Sequence, residues 1–485
     1  MRPAAVLALA GLSAGGALRC SKHGAATSSP PPAAGPVLPV GPIGHQGRWL
    51  IDAEGRVVLL HGVNVVNKAP PYTPAAEAFS DEHAAWLAAN GFLLVRVGVL
   101  ATGLLPAPGA VDAGYVQQIV ATVSMLASHG IFSLIDLHQD GWGPVTGSDG
   151  FPAWMTLTGD AGNDTEAGFP FYYQDNPALQ QAFQSFWGDA TGPGDAGLQS
   201  DYASMFGALA AALASQPYVL GYDLFNEPWP GTTWSACLND PDGCPALDQS
   251  ELGPAYAKAV AAIRAAGDQH LVLGEPFVLF NYGTSTTSLP LPGGDPGAGM
   301  SFHVYPLSPN QAPDVIANAV AWSADAGGAI LNTEWGASTS PLTLGPESKA
   351  LDEAFVPWIF WSFCCELVDA FDAGPDAGVV ASTADVLVHA FPLAVAGTPQ
   401  SLSLDTTAET LSFAWSTSPV SGAASFPAGT PTAIEVPARA YPQGYEATVT
   451  GGWVTSAPCA SLLTVEAMPG TETVTVDVAP GGTCP

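Results

Sequence analysis

The chain is predicted to be an α/β protein, a (β/α)8 TIM barrel with a C-terminal all-β sandwich domain. Three observations predict this. Apolar, strand-like runs alternate with helical segments from about residue 57 to residue 389, and the runs number eight. Polar residues gather at the C-terminal ends of those runs, the end at which barrels of this kind place their chemistry. Beyond about residue 396 the texture changes to short alternating runs separated by Pro and Gly, as in a sandwich. A doubly wound sheet would also alternate, but no Gly-rich phosphate loop follows the first strand.

Taken in order, residues 1–19 read as an export signal: Met1-Arg2, an apolar run over 4–12, then small residues over 13–17. The run is too short to span a bilayer. Cys20 falls where a lipoprotein carries its lipidated cysteine, although Arg19 departs from the usual small residue. The product is therefore expected to be secreted or held at the cell surface, by simple cleavage or by an anchor at Cys20. Residues 20–44, rich in Pro, Ser and Ala, form a flexible spacer.

The barrel is assigned to 45–391. It opens with a hairpin over 47–56, turned by residues 52–55, that would cap the barrel floor. Strands are predicted over 57–66, 92–99, 131–137, 218–225, 270–274, 299–304, 329–333 and 357–363. Helices are predicted over 81–90, 112–129 with Asp112 as N-cap, 176–187, 198–215, 254–266, 312–326 and 382–389. The sandwich takes 392–485, with runs at 401–404, 410–415, 433–436, 445–450 and 471–478.

Hydrophobic residues make up 47% of the 485, enough for a full core. Eleven Lys and Arg against 43 Asp and Glu give a formal charge of −32. Phosphate backbones would be repelled, so nucleic acid is excluded as a partner, whereas a neutral substrate such as a sugar is not penalised. Of the seven cysteines, Cys237 and Cys244 bracket a short loop and could close it. Cys459 and Cys484 could tie down the C-terminal module. The adjacent Cys364 and Cys365 are either buried thiols or a vicinal pair. None of these spacings matches a zinc site, so no metal or other cofactor is expected.

Two carboxylates then stand out. The fourth strand ends in Asn226-Glu227-Pro228 and the seventh in Glu334, both at strand lips. Eight tilted strands about 4.8 Å apart make a barrel roughly 15 Å across, which leaves a gap of about 6 Å between the two acids. That lies nearer the retaining separation of about 5–5.5 Å than the inverting one, so paired acid chemistry on a glycosidic bond is the expectation. Asn226 would donate to a sugar 2-hydroxyl, and His303 and Tyr305 would position Glu334. Arg96, a rare cation, would lower the pKa of a neighbouring carboxylate, and Trp361 offers a flat face for a pyranose. Glu275 also ends a strand before proline, and a supporting role is expected for it.

In order, Arg96, His138, Asn226-Glu227-Pro228, His303, Tyr305, Glu334 and Trp361 resemble the pattern of glycoside hydrolase family 5. The runs 59–68, 136–140 and 440–445 resemble its endoglycoceramidase-related branch. The resemblance covers nearly everything after the spacer, sandwich included. It implies a retaining double displacement with Glu227 as acid/base and Glu334 as nucleophile, and a cis peptide after Trp361. It also implies that Lys68, Asp140, Trp154, Asn226 and Tyr305 contact the sugar next to the cleaved bond. The implied substrate is a glycolipid or oligosaccharide, cleaved between glycan and ceramide or a related lipid. Steryl or other glucosides are the alternative within this chemistry, and a non-catalytic carbohydrate-binding surface protein the alternative outside it. The enzyme is expected to act as a monomer with transient contact to a membrane surface.

Overall fold

The computed structural model describes residues 35–166, 168–238, 240, 242–369 and 378–482. The expected export signal, Cys20, most of the spacer and Cys484 lie outside the described residues. Eight strands, β1 (His61–Val65), β2 (Phe92–Val99), β3 (Phe132–Leu137), β4 (Val219–Asp223), β5 (Leu271–Gly274), β6 (Ala298–Val304), β7 (Ala329–Trp335) and β8 (Trp358–Phe360), close into a barrel. Every neighbouring pair is parallel. All residues of these strands are buried, because side chains fill the interior on one side and helices cover the other.

Local chemistry starts the helices where the sequence places them. Asp112 caps the helix Ala113–Ser128 by accepting from the N–H groups of Gly114 and Tyr115 at 2.7 and 3.0 Å. Asn176 does the same for Pro177–Trp187, with proline at the first helical position where no N–H is needed. The helix Pro341–Glu353 was not among the predicted segments. Gly345 and Pro346 interrupt its interior and mask its period.

The floor of the barrel differs from expectation in one respect. The predicted strand over 57–66 is divided between two sheets. Val57–Val58 pairs antiparallel with Phe391–Val395, and only His61–Val65 enters the barrel. The N-terminal hairpin, Gly44–Gln46 with Trp49–Ile51, therefore continues a seven-stranded sheet whose other members are Thr432–Glu435, Leu462–Ala467 and Gly452–Val454. It also meets the floor, where Arg48 donates to Ala354 O at 2.9 Å. The second sheet holds Thr398–Asp405, Thr410–Ser416, Thr473–Pro480 and Tyr445–Thr450. Phe413, Trp415, Ile434, Leu463, Val474 and Val476 form the core of the sandwich. Cys237 is bonded to Cys244, and Cys364 to Cys365.

Candidate active site

Arg96 on β2 is wholly buried, and a buried guanidinium must be paired on every side. It donates to Asp223 at 2.9 Å, Asp136 at 2.8 Å and Glu334 at 2.6 Å, and to the amide oxygens of Asn226 and Asn64 at 2.8 and 3.2 Å. One cation thus ties five polar side chains from β1, β3, β4, β7 and the end of β4 into a plate beneath the mouth. Burial raises Asp223 to about 6 despite Arg96, and Ser301 donates to its other oxygen at 2.6 Å.

Glu227 stands above this plate in a left-handed backbone conformation, φ 46°, which costs a non-glycine residue about 1–3 kcal/mol. Its surroundings hold it there. Its N–H donates to Glu275 at 2.7 Å, and Asn281 donates to the other oxygen of Glu275 at 2.7 Å. Gln139 donates to the carbonyls of Asn226 and Glu227 at 2.7 and 3.2 Å. Glu275 therefore has the expected anchoring position.

Glu334 reaches the same place through an irregularity in β7. The β6–β7 register shifts between Asn332 and Glu334, so Glu334 falls opposite His303. His303 Nδ1 then lies 2.9 Å from Glu227 and 3.5 Å from Glu334. Donor atoms of these three residues all fall within 4.8 Å of one another. Tyr305 donates to the second oxygen of Glu334 at 3.0 Å.

Burial dominates the electrostatics. It pushes Glu227 up to about 7, helped by the negative charge of Asp140. It pushes His303 down to about 4, so the imidazole is neutral and has one proton to share. Glu334 was expected below the ordinary carboxylate range because of Arg96. Instead burial raises it, and His303 and Arg96 offset only part of the rise.

These groups open on a cavity of about 520 Å³ lined by Lys68, His138, Asp140, Asn226, Tyr305 and Trp361, besides the two glutamates. Lys68 and Asp140 form an ion pair. His138 binds Asp136 at 2.9 Å and stacks on Trp361 with centroids 5.2 Å apart. Burial and Lys68 act to lower His138, but Asp136 and Asp140 overcome both and raise it to about 9. The peptide between Trp361 and Ser362 is cis.

Trp154 is the exception among the residues expected to contact the sugar. It is not part of the cavity lining, and its indole donates to Leu105 O at 3.0 Å while its ring packs on the core. Asp149, Tyr172 and Tyr282 line the cavity without having been predicted. Tyr172 and Tyr282 sit on helical turns too short to show a period, and Asp149 is brought in by backbone bonds to Asp140 at 3.0 and 3.1 Å. The buried cluster Glu227–His303–Glu334 and the partly buried His138–Asp140–Asp149 have the composition of metal sites, but internal hydrogen bonds and ion pairs already engage most of their ligand atoms.

Comparison with known proteins gives the family. Residues 51–366 match the cellulase family, glycosyl hydrolase family 5, and residues 390–478 match the glycoside hydrolase family 5 C-terminal domain. Endoglycoceramidase I of Rhodococcus hoagii (strain 103S) is 32% identical over 465 residues, covering 91% of this chain and 89% of that protein. The structure of endo-glycoceramidase II from Rhodococcus sp. with ganglioside GM3 has a TM-score of 0.74 at 25% identity, covering 90% of this chain and 99% of the other. An endogalactoceramidase crystal structure has a TM-score of 0.69 at 26% identity, covering 92% and 100%. The chain belongs to glycosyl hydrolase family 5 and is a glycoside hydrolase.

Proposed function

We propose that this enzyme hydrolyses the β-linkage between a glycan and ceramide, or a closely related lipid, with retention of configuration. The observation that carries the reading is the sharing of His303 by two carboxylates whose oxygens lie within 4.8 Å. In the first step a Glu334 oxygen attacks the anomeric carbon and the bond to the lipid oxygen breaks. Glu227, raised to about 7 and so half-protonated at neutrality and largely protonated below it, gives its proton to that leaving oxygen. In the second step water attacks the glycosyl ester, Glu227 takes the water's proton, and Glu334 leaves as a carboxylate. Lys68, His138, Asp140, Asn226, Tyr305 and Trp361 hold the sugar, with the Asn226 amide on the 2-hydroxyl.

The lipid side of the reading rests on a second, apolar groove of about 370 Å³ that shares Glu227 but not Glu334 with the first cavity. Phe169, Phe171, Trp229, Val278 and Leu307 line it. An aglycone leaving past the proton donor would enter this groove. Leu307 of its lining is 78% exposed, and the segments 138–176, 228–253 and 305–312 contain no Lys or Arg. Transient contact with a neutral lipid surface follows from apolar exposure without cationic charge. Export rests on residues 1–19.

The test is incubation with lactosyl-, galactosyl- and ganglioside-type ceramides and a steryl glucoside, with analysis of the released glycan. Release of intact glycan from the ceramides is expected. Release from the steryl glucoside alone would move the reading to the alternative aglycone, and no release from any would refute it.

A further inference from the structure

The sugar cavity and the apolar groove share three lining residues, Phe169, Glu227 and Tyr282, which therefore flank the passage between them. Glu227 is the proton donor, and Phe169 offers a ring that is 61% exposed. Tyr282 brings a neutral hydroxyl. It ends the helical turn Val278–Tyr282, which closes on Gly283 at φ 71°. Asn281, the residue before it, pins that turn to the supports of the acid pair. The Asn281 side chain donates to Glu275 at 2.7 Å and accepts from His303 N–H at 2.9 Å, and its carbonyl accepts from Tyr305 N–H at 2.9 Å. The Tyr282 ring packs on the core, while its hydroxyl makes no hydrogen bond to a described residue and is not sealed from solvent. Burial, then the charges of Glu227 and Glu334, push it above the usual phenol range, so it keeps its proton and lies within the field of both acids.

A donor held in place without a partner at this point selects the aglycone that lies against it. Other hydroxyls of the groove are already engaged: Tyr173 accepts from Gly141 N–H at 2.9 Å, and Thr284 donates to Leu279 O at 3.0 Å. Beyond the leaving oxygen a sterol or an alkyl chain offers only hydrocarbon, and either would cover the Tyr282 hydroxyl without pairing it. A sugar in the lipid's place would bring hydroxyls, but it would press them against Phe169, Phe171, Trp229, Val278 and Leu307. An N-acylated sphingoid base carries an amide beside the carbon that bears the leaving oxygen, and hydrocarbon beyond it for the groove. Granted the ceramide substrate of the proposed function, on which this rests, we infer that Tyr282 determines aglycone specificity by donating its hydroxyl hydrogen to the amide carbonyl of the ceramide. Ceramide glycosides are thereby preferred to alkyl and steryl ones.

The experiment measures kcat/KM on lactosylceramide, lactosylsphingosine and dodecyl β-lactoside, which share glycan and scissile bond, for the unsubstituted chain and for Tyr282→Phe. Phenylalanine keeps the ring and its packing and removes only an unpaired hydroxyl. On substitution the ratio of lactosylceramide to dodecyl lactoside is expected to fall about tenfold. Lactosylsphingosine keeps the neighbouring hydroxyl but lacks the carbonyl, so its ratio to dodecyl lactoside is expected to hold. In the unsubstituted chain lactosylceramide is expected to exceed lactosylsphingosine by a similar factor, a comparison that needs no variant. A ceramide ratio that does not move, an equal fall in both ratios, or no preference for lactosylceramide in the unsubstituted chain overturns the role of Tyr282 and leaves the ceramide reading standing. No release from lactosylceramide by the unsubstituted chain overturns both.

Discussion

Two buried clusters of carboxylate and imidazole sit at opposite ends of this barrel, and they are built in reverse proportion. At the mouth, two acids share one histidine: His303 lies between Glu227 and Glu334. At the floor, where barrel meets sandwich, two histidines share one acid: Asp352 is 3.1 Å from His61 and 2.8 Å from His389, and Trp358 donates to it at 2.9 Å. Burial raises both glutamates and leaves His303 neutral, so the mouth holds protons that can move. At the floor burial would also raise Asp352, but His389 and His61 overcome it and hold the carboxylate well below its usual range. His389 is raised because Asp352 outweighs its burial, while burial takes His61, stacked between Trp358 and Phe391, down to about 4. The same residue types thus give an acid pair open to a cavity in one place and a fixed charge pair in the other. Stoichiometry and access, more than composition, separate chemistry from architecture.

Substitutions should separate the two ends cleanly. The largest effect is expected from Glu334→Ala, which should reduce kcat by more than about 10⁴-fold on every substrate, measured by released glycan. Glu227→Ala should cost about 10²–10⁴-fold on lipid glycosides yet spare aryl glycosides with activated leaving groups, which need no proton. Asp352→Ala should do the opposite. It leaves two buried imidazoles without their acid, so unfolding in urea should show a loss of about 3–5 kcal/mol, with kcat little changed.

The pH responses should diverge as well. Lipid hydrolysis should fall as pH rises through about 7, because Glu227 then loses the proton it donates. His61 is neutral in the folded protein down to about 4, whereas an unfolded imidazole takes its proton near 6.5, so His61 makes stability fall as pH drops across that window. His61→Phe keeps the stack and should flatten that fall by about one proton's worth, the smallest of these effects, read by denaturant midpoints at stepped pH.

Much of the site was legible in the chain because barrel strands end where polar residues begin. Glu227, Glu334 and His303 could each be placed by the position of a strand terminus, and Arg96 by being a rare cation inside a strand. The details that join them were not. The register shift in β7 that sets Glu334 opposite His303 depends on pairing with β6 and leaves no local mark. The left-handed turn at Glu227 is held by Glu275 and Gln139, 48 and 88 residues away. Trp154 was drawn to the site by family likeness, but its loop directs the indole to Leu105 instead. The sign at Glu334 was misjudged because a nearby cation is visible in sequence and the depth of burial is not. The floor escaped for a similar reason: a mostly apolar run over 57–66 does not reveal that its first two residues belong to another sheet.

The most direct test of paired-carboxylate chemistry is mass spectrometry of the enzyme inactivated with a 2-deoxy-2-fluoro glycoside carrying a good leaving group. A glycosyl adduct on the peptide containing Glu334, absent from the Glu334→Ala chain, is the expected result. An enzyme that turns over its substrate with inversion and forms no adduct, or one labelled at a different carboxylate, would contradict it.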